Sequence, residues 1–404
     1  MKKNILIIAD SYPPEIRSAA QLMKDLADGL KDRGYNVWVA TSYPRYNLVA
    51  SEKNIWPKIT DENEIKVLRI KTLPHHKVNF IIRGIAQLLM PSIFFQEIKK
   101  NIKAKIDIVI LHSPPLPLTM AGLKVKKFFG AKFILNLHDF FPQNAIDLGI
   151  LKNKLLIKFF ERMERNAYLG ADAIVVPSQS HKQYLIEKKK VLESKISVVY
   201  HWLDLEPFLK AKRTNKFRKL YGLEDKFIFL FAGVIGPSQG LELIIKIADK
   251  LRDNQEIVFL LVGDGSSKKD LMKMVEDLKL TNVVFQPFVS LEEYPELVKD
   301  CEVGIISLTE KNTTPTVPAK LTGYLAAGLP VIAFLHPQSD GGEIIQEAQC
   351  GYVVRSGDLD QAVKAVQAIY QEKEKLQKLG NNGLEYVLNN FAIDVCLNKF
   401  EKLF

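Results

Sequence analysis

The chain has 404 residues, 47% hydrophobic and 25% charged, a balance that excludes a disordered or collagen-like polymer and provides for two cores rather than one. Its three cysteines, Cys301, Cys350 and Cys396, share no short spacing, which excludes a cysteine-based zinc site and a disulfide framework and fits a reducing cytoplasm. The net charge of +10 is unevenly spread: residues 1–206 hold 32 Lys and Arg against 20 Asp and Glu, and the remainder holds 24 against 26.

A basic half beside a near-neutral half points to an anionic partner for the first half. No recognition helix or aromatic RNA-binding motif accompanies the charge, so nucleic acid is not expected and an anionic membrane surface is.

From the start, strands and helices alternate. Asn4–Ala9 is a continuous apolar run, the pattern of a parallel strand covered on both faces, and it is too short for a secretion signal. Ala19–Gly34 has helical spacing and ends on Arg33-Gly34, and Val37–Thr41 is the next strand. Residues 78–95 are apolar but broken by Arg83, Gln87 and Pro91, so they do not span a bilayer. Lysines at 99, 100, 103 and 105 follow, which suits a helix docked on anionic lipids; a core helix is the alternative. Ile106–Leu111, Lys132–Leu137 and Ala173–Pro177 continue the strand series.

The pattern then restarts. Phe227–Ala232, Ile257–Val262, Val283–Phe285, Val303–Ile306, Val331–Ala333 and Tyr352–Val354 read as strands, with helices over Leu241–Arg252 and Lys268–Leu278. The expected architecture is α/β: two doubly wound, Rossmann-like domains facing a cleft, with ligands at the carboxyl ends of both sheets. Residues 1–204 form the first domain, joined by a returning helix over 384–404 of which Leu384–Leu403 is the helical part, and residues 205–383 form the second. Neither first strand leads into G-x-G-x-x-G, so a nicotinamide or flavin enzyme is not expected.

Six segments carry candidate chemistry. The loop Asp10–Ser18 opens a helix whose free N–H groups suit a diphosphate, with Arg17 and Ser18 at the entry. Leu135–Pro142 ends a buried strand on His138 and Asp139, where a ligand would lie. Gly233, Gly236, Gln239 and Gly240 lie in a glycine-rich turn after a strand, which lets backbone approach phosphate. Gly263 and Gly265 follow the next strand. Pro318, Ala319, Lys320 and Leu321 start a helix that Gly328 and Pro330 end, so that free N–H groups and one ammonium meet at its start. Glu343 lies at a further helix start, where it either reaches a ligand or only complements the helix dipole.

These segments resemble glycosyltransferase family 4, of GT-B fold. Tyr12-Pro13-Pro14 resembles its Y-x-P-P loop, and residues 161–178 and 195–208 resemble its helix–strand and interdomain segments, with His201 in place of the common Asn. His138-Asp139 with Pro142, Gln239-Gly240-Leu241 and residues 315–333 are similar to its WbuB-like surface-polysaccharide branch. The resemblance implies a retaining, metal-free transfer from a nucleotide-diphosphate sugar, UDP-sugar favoured, to a polyprenyl-linked or glycan acceptor, without a bound cofactor. By it, His138 lies beside the donor sugar, Asp139 near the acceptor, and Arg17 and Lys320 at the phosphates. At the donor-binding positions the chain departs from the family further: Arg17-Ser18 stands where its paired glycines usually are, Val234 and Gln239 replace its Arg and Lys, and its two Glu fall on Pro315 and Gly323. A catalytically silent partner of an active transferase and a sugar-nucleotide epimerase stay open as alternatives.

Overall fold

A computed structural model describes residues 2–15, 17–45, 48, 56–75, 78–147, 149–310, 317–337 and 339–404, apart from the side chains at 80, 81 and 319. The chain divides into two compact units, Met1–Trp202 with Ile393–Phe404, and Leu203–Ala392.

The first unit is built on strands β1 (Asn4–Ala9), β2 (Asn36–Ser42), β3 (Ile59–Glu62), β4 (Ile65–Ile70), β5 (Ile108–Ser113), β6 (Lys132–Leu137), β7 (Ala173–Val176) and β8 (Ile196–Val198). They form one sheet in the order β3-β4-β2-β1-β5-β6-β7-β8, parallel except for β3 against β4. The register is direct: Leu6 sits opposite Trp38 on one side and Val109 on the other. Because the central strands are largely apolar on both faces, both faces must be covered. Helix α1 (Ser18–Asp32) packs on one face through Met23, Leu26 and Leu30. Helices α2 (Phe80–Asn101), α3 (Thr119–Phe129), α5 (Lys154–Gly170) and α6 (Gln179–Glu187) pack on the other, with the short α4 (Gln143–Asp147) leading into α5.

The second unit carries β9 (Phe227–Ala232), β10 (Ile257–Val262), β11 (Val283–Gln286), β12 (Val303–Ser307), β13 (Val331–Leu335) and β14 (Gly351–Arg355) in the parallel order β11-β10-β9-β12-β13-β14. Its helices are α7 (Glu206–Lys210), α8 (Lys216–Tyr221), α9 (Glu242–Lys250), α10 (Lys268–Asp277), α11 (Tyr294–Lys299), α12 (Ala319–Ala326), α13 (Asp340–Ala348), α14 (Leu359–Gln371) and α15 (Leu376–Asn390).

The single helix expected over 384–403 is two. The break at Phe391-Ala392 is fixed by Leu203, whose N–H donates to the Phe391 carbonyl at 3.0 Å. Helix α16 (Ile393–Glu401) beyond it packs on α1, where Leu397 fills the space that a side chain at Gly29 would need. Arg33 ties this return by donating to Asn398 at 2.7 Å and pairing with Asp394 at 3.2 Å.

Of residues 78–95, all from 80 onward fall in α2, which is amphipathic rather than simply buried. Met90, Phe94 and Ile98 enter the core, whereas Ile82, Ile85, Leu88 and Leu89 are exposed. No helix among the described residues is long and apolar enough to cross a membrane.

Candidate functional site

At the carboxyl ends of the first sheet, backbone direction brings polar groups out of an apolar core. Asp10 follows β1 and is 6% exposed. Its Oδ1 accepts from Ser42 Oγ at 3.0 Å and from His75 Nε2 at 2.8 Å, and its Oδ2 lies 3.8 Å from Arg17. His75 also donates Nδ1–H to the Leu73 carbonyl at 2.9 Å. Acceptors at both ring nitrogens favour the protonated form. Burial alone would depress its pKa, but the bond to Asp10, the Asp10 charge and the Leu73 carbonyl outweigh it and raise the value. The Pro13 carbonyl in the same loop accepts from the buried Arg69 guanidinium at 3.1 Å; Arg69 also pairs with Glu62 at 2.6 Å.

His138 follows β6, its N–H bonded to the Ser113 carbonyl and its Nε2 to Asn136 Oδ1 at 3.1 Å. Two further imidazoles flank it. His201 stacks at 4.3 Å between centroids and 15° between planes, and His112, at the end of β5, meets it edge-on at 4.4 Å. All three rings are held neutral. Burial, then the neighbouring rings, pushes His112 and His201 down to about 4 and His138 well below its ordinary value. His112 Nδ1, Asn136 Nδ2 and His201 Nε2 are buried without a hydrogen-bond partner among the described residues. Such groups are polar contacts held in reserve for a ligand or water. The rings stack instead of converging, and the described residues contain no cluster of three or more His, Cys, Asp or Glu able to hold a metal. Asp139 and Ser18 are exposed as residues.

The carboxyl ends of the second sheet are shaped by glycines. A Cβ at Gly263 would lie 1.9 Å from the Gly233 carbonyl oxygen, and one at Gly265 would lie 2.2 Å from that of Ile235. The turns after β9 and β10 therefore run in direct backbone contact. Gly240 takes the left-handed conformation at φ 58°, whereas Gly236 at φ −121° is ordinary extended chain.

Over this floor passes Lys320, from the first turn of α12. A Cβ at Gly233 would lie 2.6 Å from its Cε. Its Nζ donates to Gln239 Oε1 at 2.8 Å and sits 4.7 Å from the centre of the Phe231 ring. No carboxylate among the described residues pairs with it. Burial pushes its pKa down to about 8. Pro318, in extended conformation, precedes the helix without a side-chain cap. One expectation is corrected here: the Leu321 N–H is not free but donates to the Pro318 carbonyl at 2.9 Å. Ser307, at the end of β12, is buried with its hydroxyl unpartnered among the described residues. Glu343 is exposed on the first turn of α13.

Residues 19–207 match the model of Glycosyltransferase Family 4, and residues 212–386 match that of Glycosyl transferases group 1. The chain is thus a glycosyltransferase built from these two domains. Among its relatives, the putative colanic acid biosynthesis glycosyl transferase WcaI of Escherichia coli is 25% identical over 85% of this chain and 86% of its own length. A glycosyltransferase from Rickettsia africae superposes with a TM-score of 0.74 at 18% identity, covering 100% of this chain and 97% of that one. Anabaena HepE in complex with UDP gives 0.74 at 16% identity, covering 100% and 99%. The fold of this glycosyltransferase is GT-B.

Within each unit, the candidate residues gather at one end of the sheet: Arg17 and His138 in the first, and Gly233, Gln239, Gly263 and Lys320 in the second. Sequence reasoning missed His112, His75 and Asp10, and took His201 for part of a hinge. A polar residue closing an otherwise apolar strand, as His112 does in Ile108–Ser113, was the available signal. The departure at position 323 has a structural counterpart: a Cβ on Gly323 would lie 3.1 Å from the Tyr294 hydroxyl, so a longer side chain there must displace that ring. Pro315 lies outside the described residues.

Proposed function

We propose that this glycosyltransferase moves a hexosyl or N-acetylhexosaminyl group, with retention, from a UDP-sugar to a polyprenyl-linked or glycan acceptor of a cell-surface polysaccharide. The observation that carries the reading is Lys320: a half-buried ammonium without a carboxylate, held over a glycine floor at the start of a helix. Such a group is stable there when an anion completes it. The leaving diphosphate supplies that anion, and the uncapped start of α12 adds dipole to the same end. As the glycosyl–oxygen bond breaks, negative charge grows on the diphosphate, and fixed cations lower the barrier without having to reorganise. In the first unit, Arg17, 3.8 Å from Asp10, is the candidate assigned to the donor phosphates. His138, kept neutral and donating Nε2–H to Asn136, leaves Nδ1 to accept from a sugar hydroxyl; Asp139 is assigned to the acceptor side. In support, the Anabaena neighbour is solved with UDP, and the E. coli relative is named for colanic acid biosynthesis.

The work is placed at the inner face of the cytoplasmic membrane. Ile82, Ile85, Leu88 and Leu89 on α2 and Leu155, Leu156 and Phe159 on α5 are exposed on the helical layer of one sheet face, with Lys99, Lys100, Lys154 and Lys158 on the same two helices. Apolar side chains beside lysines suit anionic lipid headgroups.

Titration calorimetry with UDP and GDP at modest salt tests the donor assignment. UDP is expected to bind, and Lys320→Met to weaken it at least tenfold; absence of heat with either nucleotide ends the reading. The lack of a carboxylate at Gly323 favours a second reading, a silent partner of another transferase. Tight UDP binding without turnover of any UDP-sugar, with or without polyprenyl diphosphate sugar, would establish it.

A further inference from the structure

The first unit has a cavity of about 410 Å³ between α5 and the connection from α6 to β8. It lies beside the amino ends of β7 and β8, the opposite end of the sheet from His138. Glu164, 2% exposed, forms its floor and accepts from the Tyr168 hydroxyl at 2.9 Å and from Lys189 at 2.8 Å, so the floor carries no net charge. Lys195 is occupied with the carbonyls of Leu169 at 3.1 Å and Ala171 at 2.9 Å.

The mouth is different. Leu169 and Leu192 stand there, each 69% exposed. Arg165, Lys188 and Lys190 line the same opening, are exposed, and have no ion-pair partner among the described residues. Glu161 supplies the one uncompensated carboxylate, leaving a positive excess. Lys190 turns the chain at φ 55° and the Val191 N–H closes on the Leu185 carbonyl at 3.0 Å, which fixes the lysine run beside the cavity.

We propose that this cavity binds an acidic phospholipid, its phosphate against Arg165, Lys188 and Lys190 and its first methylenes between Leu169 and Leu192. The volume suits a small-ligand site. Three uncompensated cations give a neutral ligand no advantage, and two exposed leucines give a bare inorganic anion none. The site goes beyond the transfer reaction and stands apart from the α2 surface.

Short-chain lipids below their micelle concentration test it with the full chain. Calorimetry is expected to show one dihexanoylphosphatidylglycerol bound per chain, with dihexanoylphosphatidylcholine and inorganic phosphate at least tenfold weaker. Lys188→Glu with Lys190→Glu should weaken the acidic lipid at least tenfold while leaving the melting temperature and UDP heat unchanged, and Leu192→Glu should do the same from the apolar side. Equal binding of phosphatidylcholine or of phosphate overturns the proposal, as does an unchanged affinity in the charge-reversed chain. Leu88→Glu with Leu89→Glu separates this site from membrane docking: it should abolish vesicle binding and leave the short-chain lipid affinity intact.

Discussion

On the role proposed for Lys320, a lysine with a pKa of about 8 should make donor binding depend on pH in the neutral range. Lys320 is mostly protonated at pH 7 and loses its proton as pH rises through 8, so UDP affinity should fall roughly tenfold by pH 9. Lys320→Arg, whose guanidinium stays charged, should flatten that fall; calorimetry across pH 6.5–9 checks both. His112 gives the opposite kind of dependence. Its pKa is depressed to about 4 in the folded chain, so below the ordinary value of 6.5 the unfolded chain takes up the proton first. Stability is therefore complete above 6.5 and falls towards pH 4, by on the order of 3 kcal/mol from this ring. His75, whose pKa is raised, opposes this: it contributes below 6.5 and its contribution is lost as pH rises through its folded value. Urea midpoints of wild type and His112→Asn, compared from pH 7 to pH 4, should show the smaller slope in the variant.

Tyr324 shows how one side chain fixes a whole helix. Strand β12 pairs with β9 only through Val303–Phe229 and Gly304–Leu230, and beyond that the ladder parts. The Tyr324 hydroxyl takes over, accepting the Ala232 N–H at 2.9 Å and donating to the Leu230 carbonyl at 3.2 Å. Its ring fits because residue 304 has no Cβ, which would lie 2.4 Å away. Tyr324→Phe leaves the Ala232 N–H buried and unmet, which costs about 1–3 kcal/mol. The second unit should melt earlier, and UDP should bind more weakly because α12 carries Lys320. Gly304→Ala should do more damage than Tyr324→Phe. The apolar runs of the parallel strands and the glycine-bounded helix at 319–326 were legible in the sequence, since composition and punctuation specify them locally. Strands β3, β4 and β8, the Tyr324 wedge and the histidine stack were not. They depend on pairings such as Gly304 with Leu230, or on rings from positions 112, 138 and 201 that only the sheet order brings together.

For the whole molecule, the charge bias of residues 1–206 has a physical address in the lysines of α2 and α5 and at the α5–α6 cavity. Co-sedimentation with vesicles rich in phosphatidylglycerol should be strong at 50 mM salt and fall several-fold at 300 mM, as screening shortens the reach of the lysines. Vesicles of phosphatidylcholine alone should retain little protein. Leu88→Glu with Leu89→Glu should remove binding at both salts, because the apolar part of the contact is lost with it.

The backbone crossing of Gly233 with Gly263, and of Ile235 with Gly265, limits how donor preference can change. A Cβ at Gly263 or Gly265 would push the backbone of the other turn aside, whereas one at Gly233 would displace the end of the Lys320 side chain. Variation in donor binding is thereby left to the neighbouring side chains, above all to Val234, which is 63% exposed, and to Gln239, which holds the Lys320 ammonium. A random library at 234 and 239 should yield folded variants with altered UDP affinity, whereas one at 263 and 265 should return mostly unfolded protein.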